Sequence, residues 1–104
     1  CTDETDGESL SACEQVLEGL FRYKKDSGDV EPALATGCVA NDDATEFVCT
    51  LRAGVKFHDG STLDANDVVV SWTAGLDASS PYHVGNTGAF EYYSYLWDQL
   101  INAP

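Results

Sequence analysis

Four cysteines, Cys1, Cys13, Cys38 and Cys49, constrain this chain more than any other feature of its sequence. Their spacing contains no C-x-x-C and no histidine partner of the kind a zinc site uses, so disulfides, in one of three pairings, are the better reading. One pair follows from strand geometry. Residues 46–52 alternate polar and apolar, a weaker alternation covers 34–40, and the turn-forming Asn41-Asp42-Asp43-Ala44 lies between them, which together predict a β-hairpin. A turn centred between Asp43 and Ala44 sets Cys38 opposite Cys49, Ala40 opposite Phe47 and Thr36 opposite Leu51 on one face. Directly opposed residues have Cα atoms ~4.5–5.5 Å apart, within disulfide range. The alternative is a pair of reduced, buried cysteines acting as small hydrophobes. Cys1 with Cys13 then follows by elimination and ties the N-terminal loop to the first helix. Two disulfides imply an oxidising, extracytoplasmic compartment.

Such staples suit a chain of 104 residues, because a small domain buries a lower fraction of its unfolded surface than a large one. A hydrophobic fraction of 43% predicts a folded single domain over residues 1–104 despite a net charge of −13. Eighteen acidic residues against five basic ones exclude a phosphate-tracking surface, so nucleic acid and anionic membrane are poor partners. The longest mostly apolar stretch, around 67–76, falls far short of the ~20 residues that span a bilayer. With no Met and no signal-like N-terminus, the chain reads as a mature or excised piece of something longer.

Leu10, Cys13, Leu17, Leu20 and Phe21 recur at helical spacing and predict a first helix over 9–23, capped by Ser9 or by a box of Ser11 with Glu14. A polar turn at 24–29 follows, Pro32 begins the extended lead into the hairpin, and a further extended piece carries Val55 and Phe57 before a turn at 58–61. A second helix over 65–76 has Asp64 as its N-cap, Asp67 in its first turn, and Val68, Val69, Trp72 and Leu76 as its apolar face. Residues 77–88 form a loop long enough to suspect function. A last helix over 90–101 buries Tyr93, Leu96, Trp97, Leu100 and Ile101, with Tyr92 and Tyr95 off that face. The expected class is α+β, a small antiparallel sheet with helices packed on it.

Chemistry finds little purchase in this pattern. Reading 2–8 as part of a calcium loop with Gly7 at position six puts Thr2 at position one and Cys13 at position twelve, where an Asp and a bidentate Glu are needed, so a solvated acidic loop is favoured over a metal site. His58 and His83 are the only histidines, no nucleophile motif accompanies them, and His58 beside Asp59 on an extended chain points to the opposite face. The glycines are dispersed rather than gathered into a phosphate loop. No catalytic residue, metal or cofactor is expected. Tyr82, Tyr92, Tyr95 and Trp97 cluster late in the chain, where aromatics line a peptide groove or pack a core. Core packing is expected for Trp97 and exposure for Tyr82.

One run is more specific. Leu51-Arg52-Ala53-Gly54-Val55-Lys56-Phe57-His58-Asp59-Gly60, followed by Ala65-Asn66-Asp67-Val68, closely resembles the signature of the family 5 extracellular solute-binding proteins of ABC transporters. Glu18-Gly19-Leu20, Glu31-Pro32-Ala33-Leu34-Ala35 and Ser79-Ser80-Pro81-Tyr82 occur in the same order as in that family. The resemblance implies a receptor several times longer, whose two lobes close on dipeptides, oligopeptides, nickel complexes or sugars and dock on a membrane permease. This chain corresponds to the early part of lobe one, mostly its extra small α+β subdomain. It departs from the pattern at Cys38 and Cys49, where relatives often carry Trp and another aromatic. The resemblance further implies that Tyr82 approaches the ligand, and that Thr5, Asp6 and Gly7 occupy the loop before the first helix that also approaches it, although they match no motif. The charged anchors for peptide termini belong to the absent lobe. The implied place is the periplasm or cell surface, with a lipid anchor on the parent protein as one means of retention. An independent acidic cell-surface interaction or calcium-binding module is the competing function.

Overall fold

The computed structural model describes residues 1–85 and 87–97. Within them the chain is α+β, with three helices and two two-stranded antiparallel sheets rather than the single sheet expected. It divides into two compact units, one made of Cys1–Leu17 and Asn66–Pro104, the other of Glu18–Ala65.

In the second unit, β1 (Phe21–Tyr23) pairs with β2 (Val30–Pro32) around the polar turn, where the Lys24 N–H donates to the Asp29 carbonyl at 2.8 Å and Asp26 takes φ 57°. The first helix, predicted to reach residue 23, therefore stops well short. Leu17, Leu20 and Phe21 fit a helical period, but the chain is extended from Leu17 and the Leu20 carbonyl accepts from the amides of both Ala33 and Ala35. A partner strand outweighs local periodicity here.

β3 (Ala35–Ala40) and β4 (Phe47–Leu51) form the expected hairpin, with Cys38 opposite Cys49 and Ala40 opposite Phe47. The turn is held by Asn41, whose Oδ1 accepts from the amides of Thr45 and Glu46, while Ala44 takes the left-handed φ of 54°. Ala35, not Thr36, faces Leu51, because the register shifts between Ala35 and Gly37 and Thr36 is left unpaired in the ladder. The Cys38–Cys49 bridge spans the hairpin at a Cα separation of 4.0 Å. Its surroundings are not a core. Cys49 is exposed and Phe47 is 61% exposed.

The 58–61 turn forms as the sequence indicates. The Phe57 N–H donates to the Ser61 carbonyl, Asp59 Oδ1 accepts from Ser61, and Gly60 supplies the φ of 91° that only glycine adopts readily.

In the first unit, α1 (Gly7–Val16) begins with Asp6, rather than Ser9 or Ser11, as its cap. The Cys1–Cys13 bridge ties this helix to the N-terminal segment at a Cα separation of 6.0 Å. Helix α2 (Ala65–Leu76) has the predicted bounds. Of its expected apolar face Val68, Trp72 and Leu76 are partly buried, while Val69 is 60% exposed and Gly75 is buried instead. Gly75 is where Tyr93 packs, since a Cβ there would fall inside the Tyr93 ring. Helix α3 (Glu91–Leu96) ends on Trp97, and the predicted continuation through Leu100 and Ile101 lies outside the described residues. Phe90, just before α3, is the largest fully buried side chain among the described residues at 1% exposure. The sequence reading had placed it at a helix start, not in the core.

Candidate functional site

The loop ahead of α1 holds three of the sequence-predicted site residues. Asp6 Oδ2 accepts from the Ser9 amide at 3.0 Å and the Ser9 hydroxyl at 2.8 Å, so one oxygen of its carboxylate caps α1. The Ser9 N–H, followed by the Ser9 hydroxyl, holds that carboxyl below the usual carboxylate range. Gly7 is the first helical residue, and Thr5, Asp6 and Gly7 are all exposed. The Thr5 carbonyl accepts from the Tyr92 hydroxyl at 3.3 Å.

What fixes this loop is Asp3, a residue the sequence reading did not single out. Its Oδ1 accepts from the Thr87 hydroxyl at 2.6 Å and the Phe90 amide at 3.1 Å, and its Oδ2 from the amides of Thr87 at 2.7 Å and Gly88 at 3.2 Å. Gly85 makes room, because a Cβ there would strike the Asp3 carboxylate. The Thr87 hydroxyl and amide, with the amides of Phe90 and Gly88 behind them, hold the Asp3 carboxyl far below the usual range. No local pattern announces a partner 84 residues away.

The described residues of the 77–88 segment, expected as a loop, contain no helix or strand, and 77–83 are built from consecutive tight turns. Asp77 Oδ1 accepts from the Ser79 amide at 2.9 Å and the Ser79 hydroxyl at 2.6 Å, the Ser80 amide donates to the Asp77 carbonyl, and the His83 amide donates to the Ser80 carbonyl. The Ser79 hydroxyl leads in holding the Asp77 carboxyl below its ordinary range. Tyr82 emerges from this turn 65% exposed. With Val70, Thr73, Asp77, Ser79, Ser80 and Pro81 it lines an open groove of about 310 Å³, to which Thr5, Asp6 and Gly7 contribute nothing.

His83 turns inward. Its Nδ1 lies 2.8 Å from the Ala74 carbonyl, its Nε2 3.2 Å from the Gly88 carbonyl, and its ring stacks on Phe90 at 3.9 Å. A ring engaged at both nitrogens and one face is a structural group. His58 is exposed in its turn, and its neighbour Asp59 is occupied by Ser61, whose hydroxyl chiefly holds the Asp59 carboxyl below its usual range. Among the described residues no group of three or more His, Cys, Asp or Glu could hold a metal ion.

The late aromatics divide. Trp72 meets Tyr93 edge-on at 5.8 Å and Trp97 at 5.1 Å, so Trp97 leans on α2 while keeping an exposed edge rather than entering a core. Burial raises the Tyr93 phenol above its ordinary pKa. Tyr95 is 85% exposed. No helix among the described residues is long and apolar enough to cross a membrane.

Comparison with known proteins matches residues 29–100 to the bacterial extracellular solute-binding proteins, family 5 Middle. Heme-binding protein A of Haemophilus influenzae is 38% identical over 95 residues, covering 85% of this chain and 17% of the relative. The dipeptide-binding protein of Escherichia coli is 34% identical over 80 residues, covering 71% of this chain and 15% of the relative. The glutathione-binding protein GsiB of Salmonella paratyphi A is 38% identical over 78 residues, covering 75% and 14% respectively. The chain thus spans less than a fifth of the length of the curated relatives it matches. No solved structure gives a significant match.

Proposed function

Because the chain belongs to the family 5 extracellular solute-binding proteins, we propose that it is one non-catalytic part of an ABC importer's receptor, capturing peptides outside the cytoplasm for delivery to a membrane permease. The observation that carries this reading is the family match over residues 29–100, which includes both the Leu51–Gly60 signature and the Ser79-Ser80-Pro81-Tyr82 segment. Peptides are the chosen ligand class because the matched relatives include proteins named for dipeptide, di/tripeptide and glutathione binding, and glutathione is itself a tripeptide. Two disulfides support the extracytoplasmic placement.

In this reading Tyr82 is the ligand contact. It is exposed, it lines a groove, and the rigid turns of 77–83 hold it in place without the entropy cost of ordering a loose loop. The Thr5, Asp6 and Gly7 loop offers backbone and a hydroxyl, while Oδ2 of its one carboxylate caps α1. Calorimetry on the intact receptor tests the contact. Tyr82→Ala is expected to weaken peptides by about fivefold to tenfold, the loss of one aromatic wall. Unchanged affinity for peptides of every length removes Tyr82 from the site, and an intact receptor that binds no peptide at all overturns the reading.

A further inference from the structure

The unit that bears Tyr82 carries half of the chain's 18 acidic residues and none of its five Lys and Arg, all of which fall in Glu18–Ala65. A chain made acidic for solubility alone has no reason to sort its cations in this way. The sorting gives the unit that holds the groove an excess of negative charge, and such an excess raises the local concentration of positively charged ligands.

The groove has the parts such a ligand needs. Asp77 uses only Oδ1 for Ser79, and its Oδ2 accepts no hydrogen bond among the described residues. Ser79, Ser80 and Thr73 also line the groove, their hydroxyl protons or lone pairs partly used by Asp77, the Tyr82 amide and the Val69 carbonyl. Val70, which is 45% exposed, with Pro81 and the Tyr82 ring, supplies apolar surface beside that carboxylate. A lysine or arginine side chain has the matching division, an aliphatic stem that covers apolar surface and a cationic head that takes charge-assisted hydrogen bonds and lies on an aromatic face. We infer that this groove is a cation-selecting subsite, in which Asp77 pairs with the ammonium or guanidinium of a peptide side chain whose stem lies along Val70, Pro81 and Tyr82. The inference rests on the receptor reading and adds to it a preference for basic peptides.

The test is an amide NMR titration of the 104-residue chain with Nα-acetyl-lysine amide, Nα-acetyl-arginine amide and the neutral Nα-acetyl-norleucine amide. Lysine and arginine compounds are expected to move the Val70, Thr73, Ser79 and Tyr82 signals at millimolar concentration, with norleucine about tenfold weaker. Asp77→Asn keeps an oxygen for Ser79 and therefore the turn, and it should reduce lysine to the norleucine level. Tyr82→Leu, which keeps an apolar wall, should weaken arginine severalfold more than norleucine. Added salt should erode the lysine response, not the norleucine one. Equal responses to lysine and norleucine, or indifference to Asp77→Asn, overturn the cation preference while leaving the groove a ligand contact and the receptor reading intact. Silence of the groove signals with all three compounds overturns the subsite, and the calorimetry on the intact receptor then decides the receptor reading by itself.

Discussion

Asp3 and Phe90 show how single residues hold the N-terminal segment and the α3 entry together. Phe90 sits in the left-handed region at φ 47°, a conformation a bulky residue adopts only when its surroundings impose it. Here the imposition is visible, since its amide donates to Asp3 and its ring is buried against His83. Phe90→Ala keeps the backbone requirement and removes the ring, so a loss of about 3–5 kcal/mol is expected in chemical denaturation. Asp3 makes a pH prediction. Its carboxyl titrates lower in the folded state than in the unfolded chain, so its contribution is complete above the ordinary carboxylate pKa of ~3.9 and is lost as pH falls below it. Melting temperature followed from pH 6 to pH 2, roughly the window where carboxylates titrate, should therefore fall on the acid side. In Asp3→Asn the acid limb should flatten and the neutral-pH plateau should drop. None of this was legible in the sequence, because Asp3 is one of eighteen acidic residues and three of its four donors are backbone amides, which carry no side-chain signal.

At the scale of elements, the sequence is read correctly where the deciding interactions are local. Helix α2 has a polar start, apolar residues at helical spacing and a turn-forming sequence after it, and its bounds match although Val68, Val69, Val70, Thr73 and Gly75 are weak helix formers. The hairpin register follows from the Asn41 turn, with only the bulge at Thr36 unforeseen. It fails at α1, where the same apolar residues serve a helix period or a strand edge and pairing with the next strand makes the choice. The candidate site divides along the same line. The exposed Tyr82 is legible from a proline-led turn, whereas the groove around it needs Val70 and Thr73 of α2, which lie off the apolar face that periodicity picks out. Contact between α2 and α3 makes a further prediction. An alanine inside a helix normally gains ~1 kcal/mol over glycine, but Gly75→Ala places a methyl in the Tyr93 ring and should instead lose on the order of 1–3 kcal/mol. Adding Tyr93→Leu to Gly75→Ala should recover part of that loss, measurable as coupling in a double-mutant cycle.

At the scale of the molecule, each disulfide lies inside one unit and neither joins the two. Intact mass should fall short of the all-thiol value by about four hydrogens, and reduction should restore it. Replacing Cys1 and Cys13 with serine should speed hydrogen exchange at the Thr87, Gly88 and Phe90 amides, which depend on a tethered Asp3, and leave the Val39 and Val48 amides of the hairpin unchanged. Acceleration at both places would show that the units open together.

The order in which the chain is made has its own consequence for a unit assembled from both ends. Every hydrogen bond that defines the Glu18–Ala65 unit is available once residue 65 has emerged, and its partners are close in sequence. Asp3, made first, has no donors until Thr87, Gly88 and Phe90 follow. During vectorial emergence of the chain the Glu18–Ala65 unit is therefore complete while the other still waits, its N-terminal segment without donors and the Asp3 carboxylate still in water.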